Sequence, residues 1–173
     1  MWFDLLLVII LIICVVTDIK ERKIYNKVIF PSLMIAFLSH ILLDGPNSLY
    51  SSFTGFLVGF LILLGPYLLG GMGAGDVKLL ALIGALKGPS FVFYTSIYMA
   101  LAGGLMALIM LIFQKRLHAT LKSIYYYIFS LKYGIKLHLL INNDDLSNTY
   151  PYGTAIAAGA MINLLLGGGL LLC

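Results

Sequence analysis

The chain has 173 residues, of which 61% are hydrophobic and only 10% are charged, whereas charged residues make up about a quarter of an ordinary water-soluble domain. The length fits one compact membrane-embedded domain, residues 1–173, and leaves no room for a second. A net charge of +4 does not indicate nucleic-acid binding here, because the basic residues flank apolar runs and orient a membrane protein. Cys14 and Cys173 form no CxxC pair and no metal-ligand spacing, so we expect no disulfide framework, no metal and no cofactor.

Apolar runs predict an all-α, polytopic membrane protein with six transmembrane helices. The runs cover 3–17, 28–43, 52–70, 77–87, 90–113 and 153–172. A helix rises 1.5 Å per residue, and the hydrocarbon core is about 30 Å thick, so most runs are long enough to cross it. The run 77–87 is short for a full crossing, so we expect that its ends lie in protein or in a water-filled recess, or that the bilayer thins locally.

The first run is expected to be a retained helix and not a cleaved signal peptide. No Lys or Arg precedes it, and the basic cluster follows it, which is the reverse of a secretory signal. Alternating six helices from an outside N-terminus puts 18–27, 71–76 and 114–152 in the cytoplasm. Nearly every basic residue then lies on that side, and only Lys87 falls outside. The positive-inside rule therefore supports this orientation in the cytoplasmic membrane.

The segment 115–141 is predicted to be an amphipathic helix in the cytoplasmic interface. Its apolar residues recur at steps of four and three, while its lysines and histidines make a full crossing costly. Small residues also recur at helical spacing within the runs. The pairs Gly55/Gly59, Ala81/Ala85 and Ala155/Gly159 predict close helix packing, more readily within this bundle than between two copies.

Two acidic residues stand where apolar runs meet loops. Asp18 follows the first run, and Asp76 ends the glycine-rich stretch that begins at Gly71. Because desolvating a charge is costly, an acid at the edge of a membrane helix marks a functional site. Each also fits a structural role, with Asp76 as an N-cap after a glycine loop and Asp18 as the polar end of a helix. Asn26 fits the cap of the second helix in the same way.

The order of the motifs along the chain favours a functional role for the two acids over a purely structural one. It runs through Asp18, Ile24-Tyr25-Asn26, Gly73-Ala74-Gly75-Asp76-Val77-Lys78-Leu79 and Pro151-Tyr152-Gly153. This order resembles the prepilin peptidase family of GxGD membrane aspartyl proteases, which includes the archaeal preflagellin peptidases. The resemblance covers essentially the whole chain, with Tyr25 in place of the usual proline before Asn26. Longer members carry an N-terminal zinc-binding region with methyltransferase activity, so the chain is similar to the short, peptidase-only form.

The resemblance implies that Asp18 and Asp76 form a catalytic dyad. Amide hydrolysis by two carboxylates needs one charged group to take a proton from water and one protonated group to polarise the carbonyl. The supporting residues implied are Gly73, Gly75, Asn26, Lys78, Pro151 and Gly153. Lys78 either tunes the charge of the site or is an interfacial lysine with no such role. The implied substrate is a type IV prepilin-like or preflagellin-like precursor, cut at the cytoplasmic edge of the bilayer to remove a short basic leader.

Other functions stay open at this point. A small transporter or channel component would use Asp18 and Asp76 as a proton or cation site, but it predicts further polar residues along runs that are nearly free of them. A non-catalytic scaffold would use both acids as caps. A presenilin-like protease shares the GxGD motif, yet its companion Tyr-Asp is absent, since Asp18 follows Thr17. We favour the peptidase over these three.

Overall fold

A computed structural model describes residues 2–113 and 152–167, and these residues are helical apart from short connections. The helices are α1 (Trp2–Glu21), α2 (Asn26–Ser39), α3 (Pro46–Leu68), α4 (Ala74–Lys87), α5 (Pro89–Phe113) and α6 (Tyr152–Leu165), with a π-helical turn (His40–Asp44) after α2. The predicted interfacial helix at 115–141 and the predicted site residue Pro151 lie outside the described residues. The contacts described below all belong to one compact unit, residues 1–103 and 151–173.

Each apolar run coincides with one of these helices, although the last residues of the run 153–172 lie beyond the described part. Four helical stretches are long and apolar enough to cross a membrane: Trp2–Glu21, Asn26–Leu43, Ser48–Leu68 and Pro89–Ile109. The all-α class and the multi-pass membrane character are therefore confirmed, whereas six crossings remain a prediction. The bounds differ at several ends, since α3 begins six residues before the run 52–70 and ends two residues before the end of that run, and the last residues of the run 28–43 form the π-helical turn.

Helix α1 has two opposite faces that explain where Asp18 points. One face carries large apolar side chains that are exposed at steps of three and four residues: Leu5, Ile9, Ile12, Val16 and Ile19. In a membrane protein such a face contacts lipid. The other face is buried in the bundle and consists of Leu7, Leu11, Cys14 and Asp18. Asp18 thus continues the inward stripe of α1.

Helix α4 is the centre of the bundle. Its apolar residues from Val77 to Leu86 are at most 2% exposed, and it packs against α1, α2, α3 and α6. With 14 residues it is about 21 Å long, too short to cross about 30 Å of hydrocarbon. Because protein surrounds α4, its length need not match the bilayer, which agrees with the expectation for the short run 77–87.

The predicted small-residue pairs bring helices together within this chain. Gly55 of α3 and Gly84 of α4 face each other so closely that neither has room for a methyl group. A methyl group on Gly59 would lie 2.6 Å from the carbonyl oxygen of Leu80. On the other side of the bundle, a methyl group on Gly159 of α6 would lie 2.6 Å from the backbone nitrogen of Met99 in α5. The prediction of packing within the bundle is therefore confirmed at these glycines.

Two groups of polar contacts define the ends of the bundle. At one end Lys87, the last residue of α4, donates to the Asp4 carboxylate at the start of α1, with 2.5 Å between Nζ and Oδ1. His40, next to α2, contacts the carbonyl of Leu86 there. These contacts make α1 antiparallel to both α2 and α4. The C-terminus of α1 and the N-terminus of α4, with their aspartates, consequently share the opposite end, which we call the acid end.

Candidate active site

Asp18 lies in the last turn of α1 and contacts the first turn of α6. The side chain is 5% exposed, and Oδ2 accepts a hydrogen bond of 3.1 Å from the Thr154 amide. Amides in the first turn of a helix have no partner within the helix and carry its partial positive charge, so they stabilise a buried carboxylate.

Gly153 has a specific role in this contact. A methyl group on Gly153 would lie 2.7 Å from Oδ2 of Asp18 and 2.9 Å from its Cγ. The Asp18 carboxyl group therefore rests directly on the α6 backbone at a position where a side chain would displace it. The prediction that Gly153 supports the site stays a prediction, but the structure brings Gly153 into contact with Asp18.

Asp76 is the third residue of α4 and is 8% exposed. Its Oδ2 accepts a hydrogen bond of 3.1 Å from the amide of Gly73, whose backbone is extended just before the helix. The interpretation of Asp76 as the N-cap residue is therefore wrong in its detail. Gly73 occupies the N-cap position, and the Asp76 side chain accepts a hydrogen bond from the Gly73 amide, as in a capping box. This contact uses only one oxygen of the Asp76 carboxylate.

Ile24, in the connection between α1 and α2, brings the two acid-bearing regions together. A methyl group on Gly75 would lie 2.9 Å from Cβ of Ile24, and one on Gly153 would lie 3.2 Å from its Cδ1. Gly75 precedes Asp76 and Gly153 contacts Asp18, so one isoleucine packs between the neighbourhoods of both acids. Two acids that are 58 positions apart in the sequence thus lie beside backbone segments that pack on the same isoleucine.

Sequence reasoning missed Ile24 and Thr154 as parts of this site. Ile24 stands within the Ile24-Tyr25-Asn26 motif, which was the available signal for it. Thr154 contributes its backbone amide, and no side-chain pattern indicates such a donor. The space beside Gly75 is filled by Ile24.

Asn26 and Lys78 form a second contact at the acid end. Nζ of Lys78 donates to Oδ1 of Asn26 at 2.9 Å and lies 5.5 Å from the centre of the Phe30 ring. The interpretation of Asn26 as the cap of α2 is wrong, because Tyr25 holds the N-cap position and makes no side-chain cap bond. Lys78 therefore binds a neutral amide, and its cation lies over an aromatic ring at the margin of the site.

The remaining titratable candidates lie elsewhere. Among the residues that the structure describes, no group of three or more His, Cys, Asp or Glu side chains is arranged to hold a metal ion. His40 contacts Ser48 and the Leu86 carbonyl at the end opposite the acids. Cys14 is buried on the inward face of α1. Among the described residues, the groups that contact the two acids are backbone amides, and Lys78 lies at the margin of the site.

Comparison with known families adds an independent finding. The family model described as the type IV leader peptidase family matches residues 5–112 of this chain. The matched region contains both aspartates, Asn26 and the glycine-rich stretch, and it ends before the contact of α6 with Asp18. No curated protein and no solved structure is significantly similar to the chain.

Proposed function

We propose that this chain, which belongs to the type IV leader peptidase family, is an aspartic endopeptidase that uses Asp18 and Asp76 as its catalytic dyad. The family indicates a peptidase that processes prepilin-type substrates in a membrane. The observation that supports the dyad is that both acids are nearly buried and lie beside glycines, Gly153 and Gly75, that pack on the same side chain, Ile24. We further propose that the substrate is a type IV prepilin-like or preflagellin-like precursor, from which the peptidase removes a short basic leader.

The dyad would act on a water molecule held between the two carboxyl groups. The ionised carboxylate takes a proton from water as its oxygen attacks the peptide carbon, and the protonated carboxyl group donates to the carbonyl oxygen. Collapse of the tetrahedral intermediate then breaks the C–N bond, and a proton passes to the leaving amine. Because neighbouring carboxyl groups titrate as a pair, acid and base are not assigned to Asp18 or Asp76 individually.

Backbone amides would hold the dyad in position for this reaction. Oδ2 of Asp18 accepts from the first turn of α6, and Oδ2 of Asp76 accepts from Gly73. These donors compensate part of the cost of burying charge, so one carboxyl group can remain ionised in a largely dry site. They also restrict each side chain to one orientation, which supports a preorganised mechanism.

The proposed topology puts the acid end in the cytoplasm. Four basic residues between Asp18 and the second turn of α2 belong to that end: Lys20, Arg22, Lys23 and Lys27. Lys87 is at the opposite end, paired with Asp4. This asymmetry supports an outside N-terminus. We further propose six crossings and an interfacial helix at 115–141. A substrate that crosses the bilayer as an apolar helix would then present its leader junction to the dyad.

The test is cleavage of prepilin-like precursors by the purified full chain in detergent. We compare the wild type with Asp18→Asn and Asp76→Asn, which keep the size and the hydrogen-bond acceptor of each side chain. Because proton transfer contributes about 10²- to 10⁴-fold to such reactions, each variant is expected to lose at least about 100-fold in kcat. Asp4→Asn is the matched control, because it neutralises an acid of α1 at the other end and is expected to cleave normally.

Several outcomes would contradict the proposal. Cleavage that persists in both variants would leave the aspartates as helix caps only. A wild type that cuts none of a panel of precursors with basic leaders would exclude the substrate class. Proton or cation flux through liposomes that is lost in the same two variants, without any cleavage, would favour the transporter.

A further inference from the structure

The connection between α1 and α2 lies directly over the acid end. It comprises residues 22–25, because α1 ends at Glu21 and α2 begins at Asn26. At its start the Arg22 amide donates to the Asp18 carbonyl at 2.9 Å. Near its end Ile24 packs between Gly75 and Gly153. A displacement of this connection would therefore shift the backbone beside Asp18 and the backbone beside Asp76.

The bond between Lys78 and Asn26 joins α4 to the first residue of α2, where the connection ends. The two residues are 52 positions apart in the chain, yet each is close to a site residue. Lys78 comes two positions after Asp76, and Asn26 comes two positions after Ile24. Together with the packing of Ile24 on Gly75, the bond holds the connection to the start of α4 at two points.

The surroundings of Lys78 favour this bond over a free lysine. The residue is half-buried, and its ammonium group lies 5.5 Å from the centre of the Phe30 ring. Phe30 belongs to α2, as Asn26 does, so both partners of the amine come from the same helix. Lys78 consequently ties α4 to α2 through a hydrogen bond and a cation–π contact.

We infer that the Asn26–Lys78 bond is a positioning device for the dyad, a role that rests on the proposed function. It holds the connection 22–25 against α4, and this contact sets the spacing between the carboxyl groups of Asp18 and Asp76. A single exposed hydrogen bond adds little to folding stability. A dyad misplaced by about 1 Å, however, can lose about 100-fold in rate. The bond therefore matters more for kcat than for folding.

The experiment combines kinetics with amide hydrogen exchange on the purified full chain. The variants are Lys78→Met, which keeps the apolar stem over Phe30, Asn26→Ala, and both together. In each single variant kcat is expected to fall about tenfold, which is less than the loss expected from a full displacement of about 1 Å. KM is expected to stay within about twofold of the wild-type value. The double variant is expected to fall no further, because both changes break one bond. Lys78→Arg, which keeps a donor, is expected to recover most of kcat.

Hydrogen exchange reports on the same bond without a substrate. Amides of residues 22–25 and 72–76 are expected to exchange faster in Lys78→Met and in Asn26→Ala, since the connection opens more often. Lys27→Met is the matched control, because Lys27 is an exposed lysine next to Asn26. It removes the same charge and is expected to leave both kcat and exchange at wild-type values.

The outcomes separate this inference from the proposed function. Wild-type kcat in Lys78→Met, losses that multiply in the double variant, or unchanged exchange would each overturn the positioning role, even if both Asp→Asn variants are inactive. Activity that persists in the Asp→Asn variants would instead overturn the proposed function. An equal loss in Lys27→Met would show that charge at the interface matters and that the bond does not.

Discussion

The contact of Asp18 with the α6 backbone leads to a quantitative prediction for Gly153→Ala. The added methyl group would lie 2.7 Å from Oδ2 of Asp18, whereas ordinary van der Waals contact begins near 3.4 Å. The carboxyl group must therefore move by about 0.7 Å, the difference between these two distances. Since a misplacement of about 1 Å can cost about 100-fold in rate, we expect kcat to fall by about 10- to 100-fold.

The assay is leader cleavage under saturating substrate, with thermal unfolding in detergent as the measure of folding. Overpacking of this kind costs about 1–3 kcal/mol, so the variant is expected to remain folded. Gly65→Ala is the matched control, because a methyl group on Gly65 has no neighbour within 4 Å. It is expected to cleave at the wild-type rate.

Two results would refute the reasoning about Gly153. Folded Gly153→Ala that cleaves within about twofold of the wild type would mean that Asp18 does not rest on α6 during catalysis. The double variant Ile24→Ala/Gly153→Ala provides a further check, because the methyl group would also lie 3.2 Å from Ile24. If it regained full activity, the displaced group would be Ile24 and not Asp18.

Three further predictions concern stability. Gly84→Ala is expected to cost about 3 kcal/mol or more, since its methyl group would overlap the α3 backbone, and a melting temperature like that of the wild type would contradict the packing. A double-mutant cycle of Asp4→Asn and Lys87→Met is expected to give a coupling of about 0.5–1 kcal/mol, because both side chains are partly exposed; zero coupling would mean that the pair contributes nothing. Arg22 has a φ of 50°, a left-handed conformation that is costly for residues other than glycine. Arg22→Gly is therefore expected to raise the free energy of unfolding by about 1 kcal/mol, and a lower melting temperature would contradict this.

The carboxyl groups of both proposed catalytic acids accept hydrogen bonds from backbone amides at a helix N-terminus, and this arrangement has a physical advantage. Asp18 reaches the first turn of another helix, while Asp76 caps its own. In each case free amides meet the carboxylate where the helix carries partial positive charge. The bundle thereby supplies backbone amides as polar partners for both acids in an apolar site. A structural cap and a catalytic group are accordingly compatible roles for Asp76.

Much of the fold followed from residue patterns that act locally. Continuous apolar runs predict membrane helices because backbone groups in lipid need internal hydrogen bonds. The small pair Gly55/Gly59 predicted close packing, and the structure supplies Gly84 and Leu80 as its partners. Capping was predicted less well. Asn26 binds Lys78 and not its own helix, because a partner distant in the chain competes with the local cap.

The sequence by itself determined the helical membrane class, the family pattern and the two acids, since hydropathy and motif order are properties of the chain alone. Only the tertiary structure decided that Gly153 contacts Asp18, that Ile24 packs between the regions of both acids, and that Lys78 pairs with Asn26. Those contacts join segments far apart in sequence. They depend on how closely helices approach and in which direction they run, and a one-dimensional pattern does not contain that information.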